Sequence, residues 1–494
     1  MRTTTRGILQ SLTPSPSTST RFPTWSALTL GLALTAAGQA HAQVAQAEPA
    51  APADAAATPT APPQQLAEND PLQARIADMI RKEMGTAPKL LEFHGYLRAG
   101  FGLNSAGGDQ VPFQAPGAYS KYRLGNETET YGELGFDANW INPEHADAAW
   151  FKTSVKLAVI AQRNSTFDVL NTIAIREGFA EAGHVIDSHP EMTFWAGQRF
   201  YRRRDSHIID FFYQDMSGYG AGFQDLKIGD SAKLAIAYLG GSAEYNMGDP
   251  QSDLGRFAKN TIDVRFYDIP VGPTGKLEAW LIPTFAAKGS LNGSNNRSGI
   301  GGGLFYFMPV MGGFNEVSAE FGYAGAANLS SGIENIASGG WLFRAVDRAV
   351  VQPSANLSMM LTGVLQFDNK DGNPTGTTDS SLGNTWVSVG ARPVYCFTKH
   401  TGIAIEGGVD IVKPEATGSD LGVLGKLTVA PLIRPAMDFW ARPELRAFVT
   451  AAFWNDAIKG ANGVGSGGIG NPAPNPFAND NFGVTAGVQM ESWW

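Results

Sequence analysis

After residue 90 the chain contains several stretches that alternate, residue by residue, between apolar and charged side chains. In the last stretch the two sets are Phe482, Val484, Ala486, Val488, Met490 and Trp494 against Thr485, Gln489, Glu491 and Trp493. Because successive side chains of a β-strand point to opposite faces, this pattern predicts strands with one apolar and one charged face. The charged face is too dense for the interior of a soluble sandwich, and it suits a barrel with lipid outside and water inside.

Earlier stretches show the same separation, which assigns a side to each residue. The apolar, lipid-facing set includes Phe93, Leu97, Phe101, Leu134, Phe136, Trp140, Val317, Phe321, Tyr323, Val387, Val389, Tyr395, Leu445, Val449 and Phe453. The polar, water-facing set includes His94, Tyr96, Arg98, Tyr131, Glu133, Phe314, Glu316, Glu320, Trp386, Arg392, Arg442, Glu444 and Arg446. The pattern also extends the second strand back through Arg123, Leu124 and Glu127, which places both charged residues on the wall of the lumen.

Length and composition are compatible with a barrel and exclude other classes. Beyond the N-terminal region there is no run of about eighteen apolar residues, so a bundle of transmembrane helices is excluded. The segment from Phe93 to Trp494 is long enough for roughly sixteen to twenty strands with their connections. The net charge of −9, without a basic stripe, argues against a nucleic-acid partner. With a single cysteine, Cys396, and no zinc-like Cys/His spacing, we expect no intrachain disulfide, metal or cofactor.

The N-terminal region has the features of an export leader followed by an extension. Arginines precede an apolar stretch at about residues 25–37 and an Ala-His-Ala site, so residues 1–42 are predicted to be a signal peptide. Residues 43–92 form an Ala/Pro-rich periplasmic extension in which residues 71–84 have the spacing of a short amphipathic helix. That helix is either an isolated periplasmic helix or a small trimeric coiled coil. The barrel is expected to comprise residues 93–494.

Five large aromatic residues fall on the charged, water-facing side of the predicted strands: Tyr96, Tyr131, Phe314, Trp440 and Trp493. Exposed aromatic rings are unfavourable in water unless a ligand covers them. A pyranose ring has an apolar face that can lie on an aromatic ring and a rim of hydroxyls that can bond Arg, Asp and Glu. The aromatic set therefore predicts a channel for sugars. In the alternative interpretation, some of these rings pack against a loop folded into the barrel.

Several motifs resemble the maltoporin family. They are Phe93-His94-Gly95-Tyr96, the run from Ser120 to Glu127 with Glu129-Thr130-Tyr131, Trp195-Ala196-Gly197, Arg199-Phe200-Tyr201, Ile209-Asp210-Phe211, Gly313-Phe314-Asn315, Trp440 with Arg442-Pro443, and Gln489-Met490-Glu491 with Trp493-Trp494. They occur in order from residue 93 to the last residue. The resemblance implies an eighteen-stranded transmembrane antiparallel barrel, a homotrimer in outer-membrane lipid, and a third loop folded inward as a constriction.

The resemblance also implies functional residues. The family's aromatic slide corresponds to Tyr96, Tyr131, Phe314, Trp440 and Trp493, with Phe167 in place of the entrance tryptophan, and its polar track corresponds to Arg98, Arg123, Glu133, Arg176, Arg203, Asp205 and Asp210. Two positions depart from the family. Phe212 replaces the constriction tyrosine, next to Tyr213, and Pro112 and Thr128 replace the paired cysteines of enteric members.

Alternative functions remain open at this stage. Maltose and maltodextrins are the family's usual substrates, but the sucrose-porin branch also carries an N-terminal extension. A general or anion-selective porin would equally account for arginines in the lumen. A barrel enzyme is disfavoured, because no Gly-x-Ser-x-Gly or HExxH motif accompanies the seven scattered histidines, and no catalytic residue is predicted.

Overall fold

The computed structural model describes residues 90–127, 129–141, 148–161, 171–243, 257–286, 298–332, 339–369, 383–415, 418–466 and 475–494. The predicted leader, the extension with its helix at 71–84, Phe167 and Thr128 lie outside these ranges. No helix in the described part of the chain has the length and hydropathy needed to cross a membrane.

Eighteen antiparallel strands form one closed sheet, which confirms the predicted barrel. The strands are β1 (Leu91–Asn104), β2 (Thr130–Ile141), β3 (Trp150–Ala161), β4 (Asn171–Gly183), β5 (Thr193–Arg199), β8 (Gly218–Ile228), β9 (Ala232–Ala243), β10 (Phe257–Val271), β11 (Gly275–Ala286), β12 (Gly299–Val310), β13 (Gly313–Ala324), β14 (Trp341–Ser354), β15 (Leu357–Asn369), β16 (Gly383–Cys396), β17 (Thr401–Pro414), β18 (Gly422–Ile433), β19 (Glu444–Trp454) and β20 (Phe482–Trp493). Each strand pairs with the next, and β20 pairs with β1, so that Tyr96 lies opposite Trp493. Closure leaves no sheet edge with unpaired backbone groups.

The two faces of the barrel follow the alternation of the sequence. On β19, Leu445 is 53% exposed on the outside, whereas its neighbour Glu444 is 4% exposed on the inside. Trp140 and Trp494 lie on the outside with 67% and 45% of their surface exposed. The outer wall is thus apolar, as contact with lipid requires, and the ionisable side chains face the interior.

The connections differ between the two ends of the barrel. At the end that carries both barrel termini, several turns are short, such as residues 229–231, 311–312 and 355–356, whereas residues 434–443 between β18 and β19 form a longer one. At the other end the connections are longer, as at residues 105–129, 200–217 and 455–481.

Residues 200–217, between β5 and β8, fold into the barrel as the predicted inward constriction loop. The loop contains two short paired strands, β6 (Arg204–Ser206) and β7 (Phe211–Gln214), joined by a 3-10 turn at His207–Ile209. Its contacts reach the far wall: Arg204 Nη2 lies 2.6 Å from Glu278 Oε2 on β11, and Ser206 Oγ donates to Thr362 Oγ1 on β15 at 2.7 Å. Ion pairs and hydrogen bonds therefore hold the loop across the interior.

The first loop, residues 105–129, also folds inward, and here one prediction was wrong. Arg123, Leu124 and Glu127 were expected on the second strand, but β2 begins only at Thr130. Leu124 is buried inside the barrel, where its backbone N–H donates to Glu406 Oε1 at 3.0 Å and its carbonyl accepts from Thr428 Oγ1 at 3.0 Å. Buried polar groups on β17 and β18 supply the bonds that a sheet neighbour would have supplied, so the alternation continues into a loop.

The side-chain amide of Asn126 joins two parts of the first loop by hydrogen bonds. Next to Pro112, Phe113 N–H donates to Asn126 Oδ1 at 3.0 Å, and Asn126 Nδ2 donates back to the Phe113 carbonyl at 3.0 Å. Farther along the loop, the ring of Tyr122 lies on Gly390 and Gly408, where a Cβ atom at either glycine would overlap it. The loop is therefore fixed at two points by side-chain contacts.

Candidate functional site

Four of the five predicted aromatic residues form a continuous row along the inner wall, which we call the aromatic row: Tyr131, Tyr96, Trp493 and Trp440. The ring centroids of Tyr131 and Tyr96 are 6.1 Å apart, and those of Trp493 and Trp440 are 6.3 Å apart. Tyr96 and Trp493 are paired across β1 and β20. Trp440 lies in the long turn between β18 and β19.

Phe314 faces the interior but lies apart from the aromatic row. It is on β13, where its ring stacks on Phe307 at 5.7 Å and lies 5.3 Å from the guanidinium of Arg348. None of its ring contacts in the described structure is with the other four aromatic residues. The structure therefore brings together four of the five predicted rings.

Three of the four rings of the aromatic row are covered by other side chains, and Trp493 is half-buried. Tyr96, Tyr131 and Trp440 are only 4%, 5% and 4% exposed. At Trp440 the cover is His207 of the constriction loop, whose ring centroid lies 5.1 Å from that of Trp440 and 6.0 Å from that of Trp493. The interpretation in which a ring packs against an inward-folded loop therefore holds for Trp440 in this structure.

His207 is neutral in this position. Burial and the neighbouring charge of Arg123 lower the pKa of His207 well below its usual value. Arg123 Nη1 lies 3.2 Å from His207 Nδ1, and because a guanidinium can only donate, Nδ1 accepts and the proton is on Nε2. His207 thus presents an N–H donor beside two tryptophan rings.

Glu491 is the centre of a network of charged groups along the aromatic row. Its carboxylate lies 2.9 Å from Arg123 Nη2, 2.9 Å from Arg442 Nη2 and 3.4 Å from Arg446 Nη1, and it accepts from the Tyr96 hydroxyl at 3.1 Å. The Arg442 guanidinium also lies 4.3 Å from the ring of Trp493. The network fixes one tyrosine and one tryptophan of the row.

Arg98 and Arg123, two predicted polar-track residues, share Glu127. Arg98 Nη1 lies 3.0 Å and Arg123 Nη2 lies 2.9 Å from Glu127 Oε2. Arg98 also contacts Glu129 and lies 5.6 Å from the ring of Tyr131. Because Arg123 and Glu127 belong to the first loop, one side of the predicted track is built by that loop.

A second group of predicted residues meets where the constriction loop begins. Glu133 accepts from the Tyr131 hydroxyl at 2.8 Å. The Arg203 guanidinium lies between two phenyl rings, 3.9 Å from that of Phe212 and 4.3 Å from that of Phe200. Arg176, the extra residue of a β-bulge in β4, lies 5.3 Å from the Phe200 ring. The bulge allows Arg176 to leave the regular alternation of its strand.

The two predicted aspartates occupy the constriction loop itself. The carbonyl of Asp205 accepts from Arg348 Nη1 at 2.7 Å. Asp210 ends the 3-10 turn with a left-handed backbone, φ 53°, and burial raises the pKa of its carboxyl to about 6 although Arg123 opposes the shift.

The phenyl ring of Phe212 and the hydroxyl of Tyr213 face different partners. Tyr213 is buried and donates its hydroxyl to Glu316 on β13. Phe212 is half-buried and stacks on Arg203. The hydroxyl of Tyr213, the residue next to Phe212, is therefore hydrogen-bonded to Glu316 on the barrel wall.

Many buried polar atoms near the aromatic row make no hydrogen bond within the described structure. They are Arg98 Nε, Glu127 Oε1, Arg176 Nε, Arg203 Nη1, His207 Nε2, both carboxylate oxygens of Asp210, and Trp440 Nε1. Buried polar groups are nearly always hydrogen-bonded, to protein or to something else. These atoms can bond a hydroxyl-rich ligand.

The analysis of the sequence did not select several residues that the structure places in this site: Glu127, Phe200, His207, Arg442 and Glu491. Arg442 and Glu491 carried a signal, because both have the water-facing parity beside an aromatic residue. His207 carried none, because its role depends on contact with Trp440. Within the described ranges, no group of three or more His, Cys, Asp or Glu side chains could hold a metal ion.

The LamB porin family matches residues 91–494, which covers every strand of the barrel and the whole of this site. The chain belongs to the LamB porin family. It is accordingly a porin of the bacterial outer membrane, a channel protein rather than an enzyme.

Three solved outer-membrane proteins show low similarity to this chain. OmpF of Salmonella typhi in complex with daunomycin is 10% identical, covering 82% of this chain and 97% of OmpF with a TM-score of 0.42. The outer-membrane channel DcaP of Acinetobacter baumannii is 12% identical, covering 83% of this chain and 99% of DcaP with a TM-score of 0.43. OmpT of Vibrio cholerae, in trimer form, is 9% identical, with 82% and 99% covered and a TM-score of 0.37.

Proposed function

We propose that this porin is a sugar-selective channel through which maltose- and maltodextrin-like oligosaccharides diffuse into the periplasm. The observation that carries the proposal is that the aromatic row lies beside buried polar atoms with no protein partner. Aromatic rings supply stacking surfaces, and the polar atoms supply donors and acceptors for hydroxyls. A sugar needs both on the same wall.

Transport by this mechanism is facilitated diffusion. A pyranose ring stacks on successive rings from Tyr131 to Trp440 while its hydroxyls exchange bonds with Arg98, Glu127 and Asp210. Several weak sites in series let the ligand enter and leave, so no covalent step or energy input is needed. Since His207 covers Trp440, the sugar takes the place of the His207 ring as it advances.

Two other substrate assignments remain as alternatives to maltodextrins. A sucrose channel would use the same rings and hydroxyl partners. A general or anion-selective porin is favoured by the guanidinium groups of Arg176 and Arg203 around Phe200. The family resemblance leads us to propose in addition that the channel is a homotrimer in outer-membrane lipid, exported by the leader at residues 1–42.

Conductance of the whole porin in a planar bilayer tests the proposal. Maltose, maltotriose and sucrose are titrated while single-channel current is recorded. A sugar-selective channel is blocked at millimolar sugar, and the most effective sugar identifies the preferred substrate. A current that does not change with any of the three sugars favours a general porin, and reversal potentials in a KCl gradient then show whether anions are preferred.

Ring deletions test the role of the aromatic row. We expect Trp440→Ala and Tyr131→Ala to raise the half-blocking sugar concentration by about threefold to tenfold, the equivalent of one aromatic contact, while ion conductance stays similar or rises. Trp140→Ala is the matched control, because that ring lies on the outer wall. Unchanged block in both row variants would defeat the assignment.

A further inference from the structure

Arg442 connects the two tryptophans of the aromatic row. Its guanidinium carbon lies over the ring of Trp493, 4.3 Å from the ring centroid. Its Nη1 donates to the carbonyls of Phe439 and Ala441, the residues on either side of Trp440, at 3.3 and 3.0 Å. The same side chain therefore contacts the ring of one tryptophan and the backbone turn that carries the other.

The guanidinium of Arg442 is itself held in place by a carboxylate. Its Nε and Nη2 both donate to Glu491 Oε2, at 3.1 and 2.9 Å. A planar guanidinium whose nitrogens donate to several fixed acceptors has little freedom to turn. The position of Arg442 on the Trp493 ring is therefore fixed by Glu491 on one side and by the Trp440 turn on the other.

The contact with Arg442 distinguishes the two faces of the Trp493 ring. A cation over the face of an indole, within about 6 Å of its centroid, is attracted by the ring, and tryptophan forms the strongest contact of this kind. The face under the guanidinium is thus already occupied by protein. Trp493 is nevertheless half-buried and not fully buried. A sugar that stacks on Trp493 consequently uses the opposite face.

We propose that Arg442 is a positioning residue for sugar passage, which selects the face of Trp493 on which a sugar stacks and keeps Trp493 and Trp440 at their centroid distance of 6.3 Å. The inference rests on the proposed function, because it concerns a sugar that contacts both rings. Arg442 acts through the rings and not by bonding the sugar, since its nitrogens are engaged by Glu491 and the two turn carbonyls.

A fixed ring favours binding because less order has to be created when the ligand arrives. Contacts that are preorganised in the free protein lose less conformational freedom on binding. Without Arg442, the Trp493 ring loses its contact on one face, and the sugar must order the ring itself. Changes of this kind within one binding surface alter dissociation more than association. We therefore expect the sugar to leave faster and to enter at an unchanged rate.

Arg434 provides a matched control for Arg442. Its Nη2 donates to the same two carbonyls, those of Phe439 and Ala441, at 2.9 and 3.3 Å. Both arginines also lie near Glu444, at 3.3 Å for Arg434 and 3.7 Å for Arg442. In the described part of the chain, the contact with Trp493 belongs to Arg442 and not to Arg434. The two substitutions thus disturb the same turn, and only one of them disturbs the ring.

Block of single-channel current by maltotriose, with the whole porin in a planar bilayer, is the measurement. We expect Arg442→Gln to raise the dissociation rate of maltotriose by about threefold to tenfold, the equivalent of one aromatic contact, with the association rate unchanged. Arg434→Gln should change the dissociation rate less. A wild-type channel that maltotriose does not block rejects the proposed function and this inference together. Block in the wild type with equal rates in the two variants rejects the inference alone.

Two further variants separate positioning from other roles of Arg442. In a Trp493→Ala background, Arg442→Gln should cause no additional change in dissociation, because the ring through which Arg442 acts is gone. An additional change of the same size would show that Arg442 bonds the sugar directly, against the inference. Arg442→Lys is the second variant if Arg442→Gln fails to fold. Its compact ammonium keeps the charge but has no plane to lie on the indole, so maltotriose should again leave faster. Wild-type dissociation in Arg442→Lys would assign the effect to charge and overturn the inference.

Discussion

The replacement Glu491→Gln tests whether the charged network stabilises the barrel wall. Glu491 is fully buried and contacts Arg123, Arg442 and Arg446 at 2.9, 2.9 and 3.4 Å. Glutamine keeps the shape and one acceptor oxygen but removes the charge. Three buried guanidinium groups then lose a counter-ion at once.

The expected loss follows from what each arginine retains. Removing one member of a buried ion pair costs about 3 to 5 kcal/mol. Arg123 keeps Glu127 at 2.9 Å, while Arg446 and Arg442 keep Glu444 at 2.8 and 3.7 Å. No arginine is left without a carboxylate, so we expect the lower limit, a loss of about 3 kcal/mol in the free energy of unfolding.

The assay is reversible guanidinium unfolding of the whole porin in detergent micelles, followed by tryptophan fluorescence. Glu320→Gln is the matched control. Glu320 is also buried and faces inward, but it accepts from Ser318 at 3.1 Å and has one arginine contact, to Arg344 at 3.7 Å. We expect it to lose less than Glu491→Gln, because Arg344 keeps its hydrogen bonds to Gln366 and to the Tyr213 carbonyl. Equal losses for Glu491→Gln and Glu320→Gln would refute the idea that the network acts as a unit.

Two other predictions concern the inward loops. Gly408→Ala places a methyl group inside the ring of Tyr122, so we expect the first loop to shift. The free energy of unfolding should fall by about 1 to 3 kcal/mol, and single-channel conductance should rise. Gly425→Ala, with open space around the added methyl group, should leave stability and conductance unchanged. Asp210 has a folded-state pKa of about 6, raised by burial above the ordinary value, so its negative charge appears as the pH rises through that value. Reversal potentials in a KCl gradient should shift toward cation selectivity between pH 5 and 7, and this shift should be smaller in Asp210→Asn.

The barrel could be predicted from the sequence because lipid and water impose opposite requirements on alternate residues. Leu445 and Glu444 show this directly, since each lies on the side that its polarity predicts. The same rule placed Tyr96 and Trp493 on the inner wall, where the pairing of β1 with β20 brings them together. Local sequence is sufficient here because the side-chain direction is fixed by the strand itself.

Alternation of polarity gives a wrong prediction where a loop has the same alternating pattern as a strand. Arg123, Leu124 and Glu127 alternate as a strand would, yet the backbone of Leu124 is bonded to Glu406, Lys426 and Thr428, about 280 to 300 residues away in sequence. Nothing in the local pattern separates a loop bonded to the inner wall from a strand that forms the wall. Only the tertiary contacts decide.

The covering of the aromatic row by His207 bears on how strongly a sugar could be bound. A ligand that stacks on Trp440 must replace the His207 ring, an aromatic contact worth about 0.5 to 1.5 kcal/mol, so its net gain from stacking is reduced by that amount. A channel that works by diffusion needs sites from which the ligand leaves as readily as it enters. Competition between the His207 ring and the sugar for Trp440 lowers the affinity for the sugar. It leaves the carboxylate oxygens of Asp210 and Glu127 free to accept bonds from the sugar hydroxyls along the path. A Trp440 ring that is covered by His207 when the channel is empty is therefore compatible with rapid passage, because the ring exchanges a protein contact for a sugar contact.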